Sequence, residues 1–303
     1  MVPYTPMKPP SVHRSDRWRQ RYLDAYDTVL RAWPVTHESR HIATRFGLTH
    51  VISSGPADGP PLVLLPGAGV TATMWRPNVA ALSADRRVHA VDTLWDLGKG
   101  EPEVFPTSHA GAVEWFRDLL DGLGHPQVDL VGLSYGGFLA ARFAIDAPDR
   151  IRRLVIMSPA ATLSDLSGKF VLNALALIVV PTRPEFICKA ITRRTAASPI
   201  PDDLLEQWVI GTRGMRIPAP MHKIPPLVLT DDELRSLRAP ALLIMGEKEW
   251  TCRDPMGGVE RFRRLVPGAE AEVVEGAGHI VSMDRPELVS TRILAHLGTP
   301  RSS

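Results

Sequence analysis

The stretch VDLVGLSYGG, residues 128–137, decides the fold class that this chain is expected to adopt. Its first six residues are typical of a buried strand, and Gly132, Ser134 and Gly136 fit the pattern G-x-S-x-G at a strand-to-helix turn. Such a turn holds the serine in a strained backbone conformation, and its glycines let the neighbouring strand and helix approach closely. We therefore expect Ser134 to present its hydroxyl at the mouth of a site, where it is the candidate nucleophile.

Short apolar runs and helical patterns alternate on both sides of this turn. The predicted strands are LVLL at 62–65, RVHAVD at 87–92, VDLVGL at 128–133, RLVIM at 153–157, ALLIM at 241–245 and AEVVE at 271–275. The predicted helices lie near 73–83, 110–123, 136–147, 256–265 and 285–297. Continuous apolar strands separated by helices are what a parallel sheet covered on both faces requires. The predicted fold class is therefore α/β, with a doubly wound, mostly parallel sheet.

The same patterns divide the chain into regions. The proposed division is 1–38 as an N-terminal extension and helix, 39–159 and 239–298 as the α/β core, and 160–238 as a helical cap. The last region interrupts the alternation of strands and helices, and it carries helical stretches near 164–180, 184–194 and 201–213. A structureless loop of this length is uncommon in a compact domain, so we predict a cap inserted over the site.

A serine hydroxyl needs a base, and the base needs an orienting acid. His279 is the candidate base because EGAGHIVSMDRPELV places it between the last strand and the last helix, at the edge where Ser134 is expected. Glu249 follows the strand ALLIM in GEKEW and is the preferred acid. Asp254, five residues further on, remains an alternative.

Backbone N–H groups are expected to stabilise the transition-state oxyanion. One is that of Tyr135, the residue after the candidate nucleophile. The other is expected from the loop PGAG at 66–69, where Ala68 is preferred and Gly69 is the alternative and a substrate contact. This loop lacks the spacing of a dinucleotide fingerprint or a P-loop, so it is not expected to cradle a phosphate.

Composition narrows the function classes. The 35 basic and 33 acidic side chains give a net charge of +2 and no footprint for nucleic acid or an anionic membrane. Cys188 and Cys252 lack metal-ligand spacing, so no metal site is predicted and a reducing compartment is favoured. The N-terminus lacks the apolar core of a signal peptide, and the most apolar stretch, Phe170 to Val180, is too short to span a bilayer. We expect a cytoplasmic protein.

The segments LLPGAGVTATMW, GLSYGGFLAARFA, MGEKE and GAGHIVSMDRPELV together resemble the α/β-hydrolase superfamily over about residues 39–298. The leading helix and AWPVTHESRHIATRFGLTHVISSGP are similar to a bacterial subgroup of carboxylesterase-like serine hydrolases. The resemblance implies a triad of Ser134, His279 and an acidic residue, an oxyanion hole near Ala68 and Tyr135, a helical cap and no cofactor.

Two departures from the family pattern concern the site. Where the family usually has His-Gly after its third strand, this chain has Pro66 and Gly67, so a side chain that often braces the oxyanion loop is missing. Asp92 is followed by TLWD rather than by a D-x-x-G-x-G-like loop. We predict that Trp95 in this segment lines or narrows the pocket entrance as a substrate contact, which indicates a specialised site.

Three functions fit these residues. The first is a serine hydrolase that cleaves an ester, thioester, lactone or activated amide through an acyl-enzyme, with a small apolar acyl substrate. The second is an acyltransferase or cyclase, in which the cap excludes water and another nucleophile resolves the acyl-enzyme. The third is a non-catalytic small-molecule-binding protein of the same fold. A homodimer that forms through the cap surface is also left open.

Overall fold

A mixed sheet of nine strands forms the centre of the computed structural model, which describes residues 10–179, 184–216 and 220–298. The strands are β1 (His37–Thr44), β2 (Gly47–Ser54), β3 (Pro61–Leu65), β4 (Arg87–Val91), β5 (Glu101–Pro102), β6 (Val128–Leu133), β7 (Ile151–Met157), β8 (Ala241–Gly246) and β9 (Glu270–Val274). Their order is β1-β2-β4-β3-β6-β7-β8-β9, and the short β5, which the sequence pattern did not indicate, pairs with β2. The pairs from β4 to β9 are parallel, so the predicted fold class is confirmed.

β3 shows why the sheet has a hydrophobic core on each face. Successive side chains of a strand point to opposite faces. Leu62 and Leu64 pack into one hydrophobic cluster, whereas Val63 and Leu65 pack into another, and all four side chains are fully buried. The continuous apolar run in the sequence therefore reflects a strand that is covered on both sides.

The helices pack against both faces of the sheet. Within the described ranges they are α1 (Asp16–Arg31), α2 (Arg76–Leu82), α3 (His109–Leu123), α4 (Tyr135–Asp146), α5 (Gly168–Val179), α6 (Pro184–Thr195), α7 (Asp202–Gly214), α8 (Asp231–Arg235), α9 (Pro255–Leu265), α10 (Val281–Asp284) and α11 (Pro286–Leu297). Side chains of α1, α2 and α11 join the cluster that contains Leu62, and those of α3, α4 and α9 join the cluster that contains Val63. The sheet is therefore doubly wound.

The segment between β7 and β8, which we call the cap, contains α5 to α8. The sequence predicts its first helix near 164–180, but α5 begins only at Gly168, and residue 180 lies outside the described residues. Leu166 forms an antiparallel bridge with Cys252, and the Ser167 hydroxyl accepts a hydrogen bond from the backbone N–H of Phe170. The bridge keeps the chain extended at Leu166, and the Ser167 contact caps the first turn of α5.

The N-terminal segment is attached to the cap. The backbone N–H of Arg14 donates to the carbonyl oxygen of Gly214, and that of Arg216 donates to Val12, both at 2.8 Å. These bonds tie the chain before α1 to the end of α7, so this cap helix is fixed to the body of the protein. In the described part of the chain, no helix is both long and apolar enough to cross a membrane.

Candidate active site

The turn between β6 and α4 holds Ser134 in a strained conformation, with φ 55° and ψ −117°. A Cβ atom at Gly132 would lie 2.2 Å from the carbonyl oxygen of Gly136, and a Cβ atom at Gly136 would lie 2.4 Å from that of Leu65. Only glycine fits these close backbone approaches. The backbone N–H of Ser134 donates to the carbonyl oxygen of Met157 at 2.9 Å, which fixes the turn against β7. Ser134 therefore lies at the carboxyl end of β6, as the sequence predicts.

His279 and Glu249 come together in loops at the same edge of the sheet. Glu249 follows β8 and His279 follows β9, and Nδ1 of His279 lies 2.6 Å from Oε2 of Glu249. Both side chains are buried. The backbone N–H of Ile280 donates to the carbonyl oxygen of Thr195, so the histidine loop is also attached to the cap. The pair leaves Nε2 of the imidazole available for another partner.

Thr251 holds the other oxygen of the Glu249 carboxylate, a contact that no sequence motif indicates. Its backbone N–H and its hydroxyl both donate to Oε1 of Glu249 at 2.6 Å. Burial raises the pKa of Glu249, but the neighbouring His279 and these hydrogen bonds outweigh burial and lower the pKa to about 2. Glu249 is therefore an ionised, fully hydrogen-bonded carboxylate at neutral pH.

Asp254, the alternative acid, has a different role in the structure. It is the N-cap residue of α9, and its side chain accepts a hydrogen bond from the backbone N–H of Gly257 at 2.9 Å. This contact satisfies a backbone donor at the start of the helix. The structure thus brings Glu249, and not Asp254, into contact with His279.

The loop after β3 lies beside the serine turn. Gly67, Ala68, Gly69 and Val70 line the same cavity as Ser134. The backbone N–H of Gly69 donates to Oδ2 of Asp96 at 2.8 Å, so that donor is engaged. Of the two residues that the sequence left open as oxyanion donors, Ala68 is the one that fits this arrangement.

Tyr135 is the first residue of α4, where backbone N–H groups have no partner within the helix. Its side chain points away from this role: the phenol donates to the carbonyl oxygen of Ile224 at 2.8 Å. Desolvation raises the pKa of Tyr135, so the phenol stays protonated. The side chain of this residue is therefore engaged away from the cavity, and its backbone N–H is the candidate oxyanion donor.

The structure corrects the expectation that Trp95 lines the pocket entrance. Its side chain is fully buried and is not among the residues that line the cavity. Its indole N–H donates to the Tyr135 hydroxyl at 3.0 Å, and its ring meets Trp115 edge-on with centroids 4.9 Å apart. A large aromatic ring gains more from burial when its N–H finds a partner, and here the partner lies behind the serine turn.

A cavity of about 280 Å³ contains both Ser134 and His279 in its wall. The core contributes the loop at 67–70 together with Met74, Leu133 and Ile280, and the cap contributes Phe170, Ala174, Ile191, Thr192, Thr195, Trp208, Thr212 and Met215. The lining is mainly apolar. Leu172 and Leu175 are exposed on α5 and do not line the cavity. The cap therefore forms an apolar wall opposite the candidate nucleophile.

Comparison with known proteins places this arrangement in a family. The model of the alpha/beta hydrolase family matches residues 62–292. The chain is 39% identical over 274 residues to the "Uncharacterized carboxylesterase nap" of Bacillus subtilis (strain 168), covering 90% of this chain and 91% of that protein. It is 36% identical over 288 residues to "Carboxylesterase YbfK" of the same organism, covering 91% and 93%. The chain belongs to the alpha/beta hydrolase family.

Solved structures show the same likeness in three dimensions. The crystal structure of naproxen esterase (carboxylesterase NP) from Bacillus subtilis superposes with a TM-score of 0.87 at 36% identity, covering 95% of this chain and 100% of that chain. Carboxylesterase CesB (YbfK) from the same species superposes with a TM-score of 0.85 at 34% identity, covering 93% and 98%. The similarity thus extends over the N-terminal helix and the cap as well as the core.

Proposed function

We propose that this protein is a serine hydrolase that cleaves carboxylic esters of apolar acids through an acyl-enzyme. The observation that carries the proposal is the strained Ser134 in the same cavity as His279, whose Nδ1 is held by the buried Glu249. Membership of the alpha/beta hydrolase family and the carboxylesterase names of the two relatives support it.

In the acylation step, Oγ of Ser134 attacks the ester carbonyl carbon while Nε2 of His279 takes the hydroxyl proton. The Glu249 carboxylate stabilises the imidazolium and keeps Nδ1 as the protonated nitrogen. The tetrahedral intermediate then collapses, the ester C–O bond breaks, and His279 returns the proton to the leaving alcohol. Ser134 is left as an acyl ester.

The developing oxyanion requires hydrogen-bond donors that are in place before the reaction. We assign the backbone N–H groups of Ala68 and Tyr135 to this task. In the second step water attacks the acyl carbon, gives its proton to His279, and displaces Ser134, which takes that proton back. The products are one alcohol and one carboxylic acid, and the enzyme returns to its starting state.

The cavity indicates the class of substrate. Its apolar wall, with Phe170, Trp208 and Met215 from the cap, suits an apolar acyl group rather than a charged one. One relative in the structural comparison is called naproxen esterase, so its name gives an ester of naproxen as that protein's substrate. We propose esters of apolar acids as the substrate class of the present protein.

A fluorophosphonate probe tests the nucleophile. The wild-type chain and a Ser134→Ala variant are incubated with the probe, and the adduct is measured by intact mass and located by peptide mapping. We expect one adduct on Ser134 in the wild type and none in the variant, together with loss of p-nitrophenyl butyrate hydrolysis. A folded wild type that neither labels nor hydrolyses esters would refute the proposal.

Peptide mapping is needed because Ser39, outside the proposed site, is hydrogen-bonded to a histidine. Oγ of the exposed Ser39 lies 2.7 Å from Nε2 of His50, whose Nδ1 lies 2.8 Å from Asp92. An adduct found on Ser39 would not count as labelling of the proposed nucleophile. Incorporation of oxygen from labelled water into the acid product then separates hydrolysis from acyl transfer or cyclisation.

A further inference from the structure

We propose that Asp96 is a positioning residue for ester hydrolysis, which holds the loop at 67–70 so that the Ala68 N–H meets the oxyanion. This inference rests on the proposed function and adds a residue that the family pattern does not indicate. The Asp96 side chain takes over the bracing that is missing at Pro66.

The Asp96 carboxylate is itself fixed on both oxygens. Oδ2 accepts the backbone N–H of Gly69 at 2.8 Å, and Oδ1 accepts the backbone N–H of Leu97 at 2.7 Å. Asp96 is 5% exposed, and its backbone N–H donates to the carbonyl oxygen of Thr93 at 2.9 Å. Charge-assisted hydrogen bonds of this kind are about twice as strong as neutral ones. Asp96 is therefore a rigid anchor for Gly69.

The other anchors of the loop are weaker or more distant. The backbone N–H of Gly67 reaches only the sulfur of Met74, at 3.5 Å, and sulfur is a weak acceptor. The next firm anchor is Ala72, whose N–H donates to Asp92 at 2.9 Å. Gly69 adopts φ 70°, and no atom lies within 4 Å of the position that a Cβ atom would take, so no packing on that side fixes it. The Asp96 contact thus determines the conformation next to Ala68.

Burial makes this carboxylate costly, which indicates that its charge has a use. Desolvation raises the pKa of Asp96 to about 7, although the Gly69 and Leu97 hydrogen bonds lower it, and Asp92 raises it further. The nearby phenols of Tyr22 and Tyr135 have raised pKa values and stay neutral. A neutral side chain at this position would cost less free energy to bury than a carboxylate.

Other charged groups face Asp96 from the N-terminal segment and the β5 region. A second cavity of about 250 Å³ has His13, Asp16, Arg19 and Glu101 in its wall together with Asp96. Burial lowers the pKa of His13 to about 4, so this imidazole is neutral near pH 7.

Protonation of Asp96 below about pH 7 removes its charge and weakens its hydrogen bond to the Gly69 N–H. We therefore expect kcat to fall as the pH drops below about 7.

The test compares Asp96→Asn with Asp254→Asn as a matched control. Asp254 also accepts a glycine N–H, that of Gly257 at 2.9 Å, but it lies outside the cavity wall. We expect Asp96→Asn to lower kcat on p-nitrophenyl butyrate by about 10-fold with KM little changed, because one donor is misplaced rather than removed. The affinity for butylboronic acid, which mimics the tetrahedral intermediate, should fall by the same factor. The control should match the wild type in all three measurements.

Stability and pH separate positioning from general damage. At pH 8 the thermal midpoint of Asp96→Asn should equal or exceed that of the wild type, because a buried charge has been removed. The acid limb of its kcat profile should lose the protonation step near pH 7. A variant that keeps full kcat, or that loses kcat only together with thermal stability, would overturn the proposal.

Failure of the proposed function remains distinguishable. If the folded wild type does not label at Ser134, the hydrolase assignment fails, whatever Asp96 does. The brace itself is then read from amide hydrogen exchange, which should be faster at residues 67–70 in Asp96→Asn than in the wild type or in Asp254→Asn. Unchanged exchange there would refute the bracing role independently of catalysis.

Discussion

Nδ1 of His279 lies 2.6 Å from Oε2 of Glu249, while Oε1 of the same carboxylate accepts both hydrogen bonds from Thr251. One oxygen thus orients the imidazole and the other fixes the carboxylate. Glutamate has a longer stem than aspartate and loses more side-chain freedom when it is held in one geometry. Thr251 supplies the contacts that restrict it.

Glu249→Gln tests the orienting role. The amide has nearly the same shape but no charge, so it cannot stabilise an imidazolium at His279, and it can favour the wrong tautomer. We expect kcat/KM for p-nitrophenyl butyrate to fall by at least about 100-fold, with fluorophosphonate labelling slowed and Ser134 still the labelled residue.

The control for this variant is Asp254→Asn, which removes a negative charge from the N-cap position of α9. Asparagine is as good an N-cap residue as aspartate, so the fold and activity should be kept. An active Glu249→Gln together with an inactive Asp254→Asn would move the acid role to Asp254.

Thr251→Val tests whether the second carboxylate oxygen needs its hydroxyl donor. Valine keeps the shape and the backbone N–H donor but removes the hydroxyl, which donates to Oε1 and lies 3.1 Å from Nδ1 of His279. A hydrogen bond to a charged group is worth about 1.5–3 kcal/mol, so kcat should fall by about 10-fold. Thr251→Ser keeps the hydroxyl and should restore most of the rate. Equal rates for valine and serine variants would show that the hydroxyl has no part in orientation.

The lowered pKa of Glu249 predicts how stability depends on pH. Its value is 4.5 before folding and about 2 in the folded protein, so the ionised carboxylate stabilises the fold above about pH 4.5. This contribution, on the order of a few kcal/mol, is lost as the pH falls from about 4.5 towards 2. Urea unfolding of the wild type and Glu249→Gln at several pH values should show a gap that narrows over this range. A gap that stays constant down to pH 3 would contradict the assignment.

The sheet was predictable because its strands are uniformly apolar. VDLVGL at 128–133 coincides with β6, and the strand-to-helix change that follows it sets the position of Ser134. The sequence placed His279 and Glu249 correctly in loops at the ends of β9 and β8 because parallel strands bring their carboxyl ends to one edge. Local pattern and global topology agree at these residues.

Trp95 and Asp96 were not predictable in the same way. Both follow β4 in a loop, and a loop pattern does not tell which side chain turns inward. The Trp95 side chain is oriented by its hydrogen bond to the Tyr135 hydroxyl and its contact with the Trp115 ring. The Asp96 side chain is oriented by its hydrogen bond with the N–H of Gly69. These partners are distant in sequence, so only the assembled fold shows them. The available signal was Pro66 itself, which lacks the side chain that often braces this loop in the family.

The cap wall of the cavity should set the size of the acyl group. Ala174 on α5 lines the cavity, whereas its neighbour Leu175 is 48% exposed. Ala174→Phe adds a ring to a cavity of about 280 Å³, so long acyl chains should lose more than short ones. We expect kcat/KM for p-nitrophenyl octanoate to fall on the order of 10-fold relative to p-nitrophenyl acetate. Leu175→Phe places the same ring on the same helix outside the cavity and should leave the ratio unchanged. If both variants shift the ratio equally, α5 acts through its packing and not through the cavity wall, whereas no shift in Ala174→Phe would place the acyl group away from the cap.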